Sequence, residues 1–177
     1  MKTKHTILFL VTSFLSTSIN AAINLDGTIF NRAAKKYKID PLLIYSVALA
    51  ESALERKKGL ISPWPWTLRA KSPFYIHSYS KAKKKLIELQ KKYGTDIDVG
   101  LMQINLRWNS YRVPSVMDLL IPEKNIMIGT QILSESIKSA PNDLVLGIGR
   151  YHNWSNEKIA RQYGKKILII RNNLLNQ

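Results

Sequence analysis

Apolar positions recur along most of this chain at helical intervals. Ile29, Ala33 and Tyr37 predict a first helix over 24–38. The Asp40-Pro41 pair predicts the start of a second: aspartate can cap open backbone amides, and proline suits the first helical position. Leu42, Leu43, Ile44, Val47, Ala48, Glu51 and Leu54 continue it, with Gly59 as its expected end. Between 59 and 79 the periodicity is lost. There Ser62-Pro63-Trp64-Pro65-Trp66 and Ser72-Pro73-Phe74-Tyr75 read as an aromatic loop. Ala82, Leu86, Leu89 and Tyr93 restore a helical face over 80–93, stopped by Gly94. Residues 95–113 are mixed and extended and carry the only strand signal. Pro122 opens a helix with Ile126, Thr130, Leu133 and Ile137 on its inner face. Pro141-Asn142 opens another that reaches Tyr151, and a last helix covers 156–174 with a break expected near Gly164. The expected fold class is mainly α, with a small extended or hairpin segment and no internal repeat.

Composition narrows the class. With 177 residues, 45% hydrophobic and 22% charged, the chain fits one globular domain with a real core and excludes a disordered or low-complexity protein. It has no cysteine, which excludes a disulfide framework, a thiolate zinc site and a cysteine nucleophile. The 3 histidines, His5, His77 and His152, are too few for a histidine-rich metal cage, so no metal and no cofactor are expected. Residues 1–22 read as an export signal: Lys2 and Lys4, an apolar run over 7–15, then the small residues Ala21 and Ala22. The alternative is a retained anchor, but the run falls short of the roughly 20 apolar residues needed to span about 30 Å of hydrocarbon. No later segment is apolar enough to cross a membrane, which leaves 23–177 as the working domain, expected as a monomer. Lys and Arg total 27 against 12 acids, a net charge of +15 that favours anionic partners. Export makes nucleic acid the weakest of these. Lysines 81, 83, 84, 85, 91 and 92 also read as the solvated face of one helix.

Two constellations carry chemistry. Glu51 shares the apolar stripe of the second helix with Ile44, Val47 and Leu54. A carboxyl in apolar surroundings holds its proton more tightly, and a carboxyl protonated near neutral pH can act as a general acid. The other reading is a buried glutamate paired with one of the many Arg or Lys residues. The second constellation is the run from Asp98 through Gly100-Leu101-Met102-Gln103-Ile104-Asn105 to Trp108. Gly100 permits close backbone approach, Gln103 and Asn105 place amides at alternate positions, and Trp108 offers a stacking face for a sugar. The other reading is a buried turn with structural amides.

Glu51-Ser52, then Gly100-Leu101-Met102-Gln103-Ile104-Asn105, then Tyr151, in that order, resemble the soluble lytic transglycosylase domain of the lysozyme-like superfamily. The likeness covers most of 40–155. It implies a cleft-shaped, mainly helical domain that cuts the MurNAc–GlcNAc β-1,4 bond of peptidoglycan. By that resemblance Glu51 protonates the leaving oxygen, then takes the proton of the MurNAc C6 hydroxyl, which closes on C1 to give a 1,6-anhydro end without water. The resemblance also places Ser52, Met102, Gln103, Asn105, Tyr151, His152 and Trp108 at the substrate. Pro63-Trp64-Pro65-Trp66-Thr67, Asp98-Val99 and Gly149-Arg150-Tyr151-His152 resemble a subgroup encoded with conjugative elements and type IV secretion systems. That implies an exported, periplasmic enzyme that opens the wall for an envelope-spanning machine.

The chain departs from the family pattern in three places. His152 stands where asparagine is usual, and Asn105 where many members have methionine. The stretch 59–97 reads as an insertion over the cleft, with Trp64, Trp66, Tyr75 and Tyr79 either stacking on sugar or packing the insertion against the body. Asp98 also matches the second carboxylate of animal-type lysozymes, so a hydrolytic muramidase using Glu51 and Asp98 is the first alternative; a bland reading has Asp98 fixing a turn or pairing with Arg107. A non-catalytic wall-binding assembly protein is the second.

Overall fold

The computed structural model describes residues 23–176; the expected export signal at 1–22 lies outside the described residues. Seven helices and six short strands follow one another in the order α1 (Ile29–Tyr37), α2 (Pro41–Ser52), β1 (Ala53–Lys57), β2 (Leu60–Pro63), β3 (Thr67–Arg69), β4 (Pro73–Tyr75), α3 (Tyr79–Tyr93), β5 (Asp98–Val99), β6 (Ile104–Asn105), α4 (Leu106–Asn109), α5 (Pro122–Lys138), α6 (Leu144–Arg150) and α7 (Glu157–Leu175). The expected mainly α class holds, with small antiparallel sheets set among the helices.

Local signals set most helix ends. Thr28 caps α1, which therefore begins later than the periodicity suggested. Asp40 accepts from the Leu42 amide with Pro41 behind it, as the pair predicts. Ser78 caps α3 and Gly94 ends it, while Ala82, Leu86 and Leu89 form its buried face. For α6 the cap is Asp143, two residues beyond the expected proline start.

Two expectations are corrected. The helix through Glu51 does not run to Gly59. It stops at Ser52, and Ala53–Lys57 becomes a strand paired antiparallel with Leu60–Pro63. Gly59, at φ +80°, serves the hairpin turn. Residues 53–58 have fair helix propensity, but pairing with the Pro-bounded strand overrides it. The second correction is α7, which passes through Gly164 unbroken. Gly164 instead lets α6 approach: a Cβ there would lie 2.0 Å from the Val145 carbonyl oxygen. Gly149 is its counterpart on α6, where a Cβ would lie 2.0 Å from the Ala160 carbonyl oxygen.

The aromatic stretch also contains strands. β3 and β4 form a hairpin that joins β5 and β6 in a sheet of order β4-β3-β5-β6. Its register places Arg69 opposite Asp98, and Asp98 opposite Asn105. The core is continuous: Ile44 and Val47 of α2 meet Leu68 of β3, Met102, Ile104, Ile126 and Leu133 of α5, and Ile167 of α7. α2 is apolar on nearly every side and sits at its centre, packed against α1 and α7. Among the described residues no helix is long and apolar enough to cross a membrane.

The Gly149 contact is backbone against backbone, so the neighbour cannot rotate away. Gly149→Ala should destabilise the fold by about 2–3 kcal/mol. Thermal unfolding should show a Tm lower by about 5–10 °C; an unchanged Tm would show that α6 and α7 can separate freely.

Candidate active site

The last turn of α2 carries Glu51 to one wall of a cleft of ≈ 720 Å³. The sheet supplies the floor through Arg69, Asp98 and Asn105, and Gln103 and Ile104 adjoin it. The rim holds Trp108 after β6, Arg112 and Glu135 further along, and Tyr151, His152 and Trp154 beyond α6. Four segments distant in sequence thus line one cleft with Glu51.

Glu51 is half-buried. Burial raises its pKa above the ordinary carboxyl value, and the weaker repulsion from Asp98 acts the same way. Three influences oppose this: the Tyr163 hydrogen bond, His152 and Arg69. Tyr163 Oη donates to Glu51 Oε1 at 2.5 Å. Among the described residues no partner occupies Oε2, which leaves that oxygen to present a proton to the cleft. Tyr163 is itself buried on α7, and its own pKa stands well above the usual phenol value, chiefly through burial and then through the Glu51 charge. The His152 ring lies flat on the Tyr163 ring, centroids 4.7 Å apart and planes 4° from parallel. The histidine in the usual asparagine position thus covers the tyrosine that holds the carboxyl.

Tyr151 lines the cleft, but its hydroxyl donates to the Met102 carbonyl at 2.6 Å, and its pKa is raised well above the phenol value by burial first and by Glu51 second. Gln103 lines the cleft with φ +45°, in a turn and not in regular extended backbone. Its Nε2 donates to the carbonyls of Thr67 (3.1 Å) and Gly100 (2.9 Å), while its buried Oε1 has no partner. Asn105 caps α4 through Oδ1 on the Arg107 amide and gives Nδ2 to Asp98 at 2.8 Å. Asp98 is half-buried and its pKa is raised, with burial the largest cause and the Asn105 bond opposing it. Arg107 pairs with Asp96 at 3.8 Å and leaves Asp98 alone. Trp108 is 70% exposed on the rim, free to meet a sugar face.

Ser52 and Met102, expected at the substrate, lie elsewhere. Ser52 is fully buried and its hydroxyl bonds the carbonyls of Ala48 (2.9 Å) and Leu101 (2.7 Å). Met102 is fully buried in the core, and a Cβ on Gly129 would lie 2.4 Å from its sulfur. Both fasten the motif to the fold and neither lines the cleft. Trp64, Trp66, Tyr75 and Tyr79 do not line it either. Trp64 gives its indole N–H to the Ile76 carbonyl at 2.6 Å and packs edge-on against Trp66 and His77. Tyr75 opens on a separate groove with Phe74 and Lys81.

Sequence reasoning passed over Tyr163, Arg69, Trp154 and the Arg112–Glu135 pair, whose two nitrogens meet the carboxylate at 2.9 and 2.6 Å. A signal existed for Tyr163. It sits with Ala160, Gly164 and Ile167 on the inner stripe of α7, and a buried tyrosine hydroxyl calls for a partner.

Residues 28–168, well over half of the chain, match the family model described as the transglycosylase SLT domain. No curated protein and no solved structure matches the chain.

Two outcomes follow from the electrostatics. The native state holds the Glu51 proton more tightly than the unfolded chain does, so stability is lost as pH rises from the unfolded carboxyl range through the raised native pKa. Glu51→Gln cannot ionise. Its Tm should match wild type below about pH 4, the ordinary carboxyl range, and exceed it increasingly toward neutrality. A Tm gap that does not change with pH would show that Glu51 is not perturbed. Tyr163→Phe removes a bond that favours the ionised form. The alkaline limb of the pH–activity profile should therefore move upward, and a downward move would reverse the assigned sense of the bond.

Proposed function

We propose a mechanism from one premise: this chain belongs to the transglycosylase SLT family, whose members are lytic transglycosylases acting on peptidoglycan. The finer reading is that Glu51 alone performs the acid and base steps. Its environment is the observation that carries this: a half-dry carboxyl that holds its proton more tightly than a free one, at the wall of a cleft, with one oxygen held by Tyr163.

The glycan lies along the cleft, its sugars flanked by Trp108 and Trp154, which is 60% exposed. Glu51 passes its proton to the glycosidic oxygen as the MurNAc C1–O bond breaks, and GlcNAc leaves as the alcohol. The carbonyl oxygen of the substrate's own N-acetyl group stabilises the positive charge at C1. Glu51, now a carboxylate, accepts the proton of the C6 hydroxyl. O6 bonds to C1, giving the 1,6-anhydro ring and returning Glu51 to its acid form. No water enters the balance. One carboxyl suffices because the substrate supplies both the stabilising group and the nucleophile.

The biological setting is part of the same proposal. The export signal at 1–22 and the subgroup resemblance support a periplasmic enzyme that opens the wall locally for a secretion or conjugation machine. The net charge of +15 supports retention on a wall whose stem peptides carry carboxylates.

Digestion of purified peptidoglycan should yield 1,6-anhydro-MurNAc ends. Glu51→Gln should lower the rate about 10³-fold, within the span of general acid catalysis, with the fold intact. Reducing ends alone would assign hydrolysis by Glu51 and Asp98 instead. Undiminished wall binding by a chain that never cleaves would assign a non-catalytic role.

A further inference from the structure

The floor of the cleft holds one guanidinium whose donors are unspent. Arg69 ends β3, and the strand register sets it directly across from Asp98, which in turn faces Asn105 on β6. Cross-strand partners share a face of a sheet. The row Arg69, Asp98, Asn105 therefore points into the cleft, and all three line it beside Glu51. Asp98 is engaged by Asn105 Nδ2 at 2.8 Å. Arg69 forms no ion pair among the described residues, and its buried Nε has no hydrogen-bond partner. The other arginine of the cleft, Arg112, is closed off by its two bonds to Glu135.

The Arg69 side chain lines the cleft without a hydrogen bond or ion pair to any described residue, so its charge is left for a ligand to meet. The fork of a guanidinium matches a carboxylate better than a hydroxyl or an amide. GlcNAc offers only hydroxyls and an acetamide. MurNAc adds a lactyl ether, whose carboxylate is free in strands that have lost their stem peptides; where the stem is present that group is an amide, and the stem brings carboxylates of its own. The two acids nearest to Arg69 both hold their protons more readily than free carboxyls, which weakens their competition for it.

We propose that Arg69 is a specificity-determining residue that receives a carboxylate borne by the MurNAc side of the glycan. This rests on the transglycosylase reading and extends it to substrate choice. Binding is best measured in a Glu51→Gln chain, where the glycan is not consumed. Four tetrasaccharide probes separate the sources: one with free lactyl carboxylates, the same with those groups capped as methylamides, one bearing stem peptides, and one of GlcNAc alone. The free-acid probe should bind about tenfold more tightly than the capped one, the order expected of a hydrogen bond to a charged group. A like advantage for the stem-bearing probe places the anion on the stem. Arg69→Met should erase the advantage and leave GlcNAc binding unchanged, and Arg69→Lys should keep part of it. Equal binding of the free-acid, capped and stem-bearing probes overturns the proposal, as does an Arg69→Met chain that loses affinity for all four alike. A chain that binds none of the four overturns the transglycosylase reading, and the Arg69 proposal with it.

Discussion

A buried turn cannot leave its peptide groups unpaired, and the segment from Val99 to Gln103 is such a turn. Three side chains and one backbone carbonyl complete it. Ser52 at the end of α2 donates to the Leu101 carbonyl, and Tyr151 after α6 donates to the Met102 carbonyl. Asn125 of α5 accepts from the Met102 amide and donates to the Val99 carbonyl, while the Thr67 carbonyl on β3 accepts from the Gly100 amide and from Gln103 Nε2. Gly100 has φ +82°, and a Cβ there would strike Asn125 at 2.1 Å, so no other residue fits the clamp. Each bond is modest by itself, yet breaking one strands a buried polar group. The turn thereby joins sheet, α2, α5 and α6 into one object, and its anchor on α2, Ser52, is the residue next to Glu51.

That rigidity lets a carboxyl be held at odds with its surroundings. Burial favours the protonated acid, and Tyr163, His152 and Arg69 favour the anion. A group used first as an acid and then as a base is best served by such a balance, because neither state is locked in. The tyrosine has to keep its own proton to donate to Glu51, and its raised pKa ensures this. His152 then fixes the plane of the ring, so the bond to Oε1 has a defined direction and the other oxygen is left without a partner among the described residues.

Legibility in the sequence followed the range of the interaction. Caps are local, so Asp40-Pro41 and Gly94 announced their helix ends. Glu51 was legible because a carboxylate on an apolar stripe violates the pattern around it. The end of α2 was not, because the hairpin from Ala53 to Pro63 depends on a partner strand that helix propensity does not see. Arg69 was hidden for a related reason: its position follows from register with Asp98, 29 residues later in the chain. Ser52 and Met102 were misplaced because the family motif mixes residues that meet the cleft with residues that hold the motif in the fold. Spacing alone does not separate the two. Burial does, since both are fully enclosed.

The two acids of the cleft bear on the choice between lyase and hydrolase. A retaining hydrolase with two carboxyls keeps one protonated and the other ionised by giving them opposite environments. Here burial is the largest influence on both Glu51 and Asp98, and it moves both in the same direction. The Asn105 bond, Arg69 and His152 favour the charged form of Asp98, yet they only partly offset its burial. The two carboxyls are therefore not set apart in the way that such a pair requires. This weighs toward a reaction in which the attacking oxygen belongs to the sugar. Asp98 then sits in the polar row of the floor, bonded to Asn105 and across from Arg69.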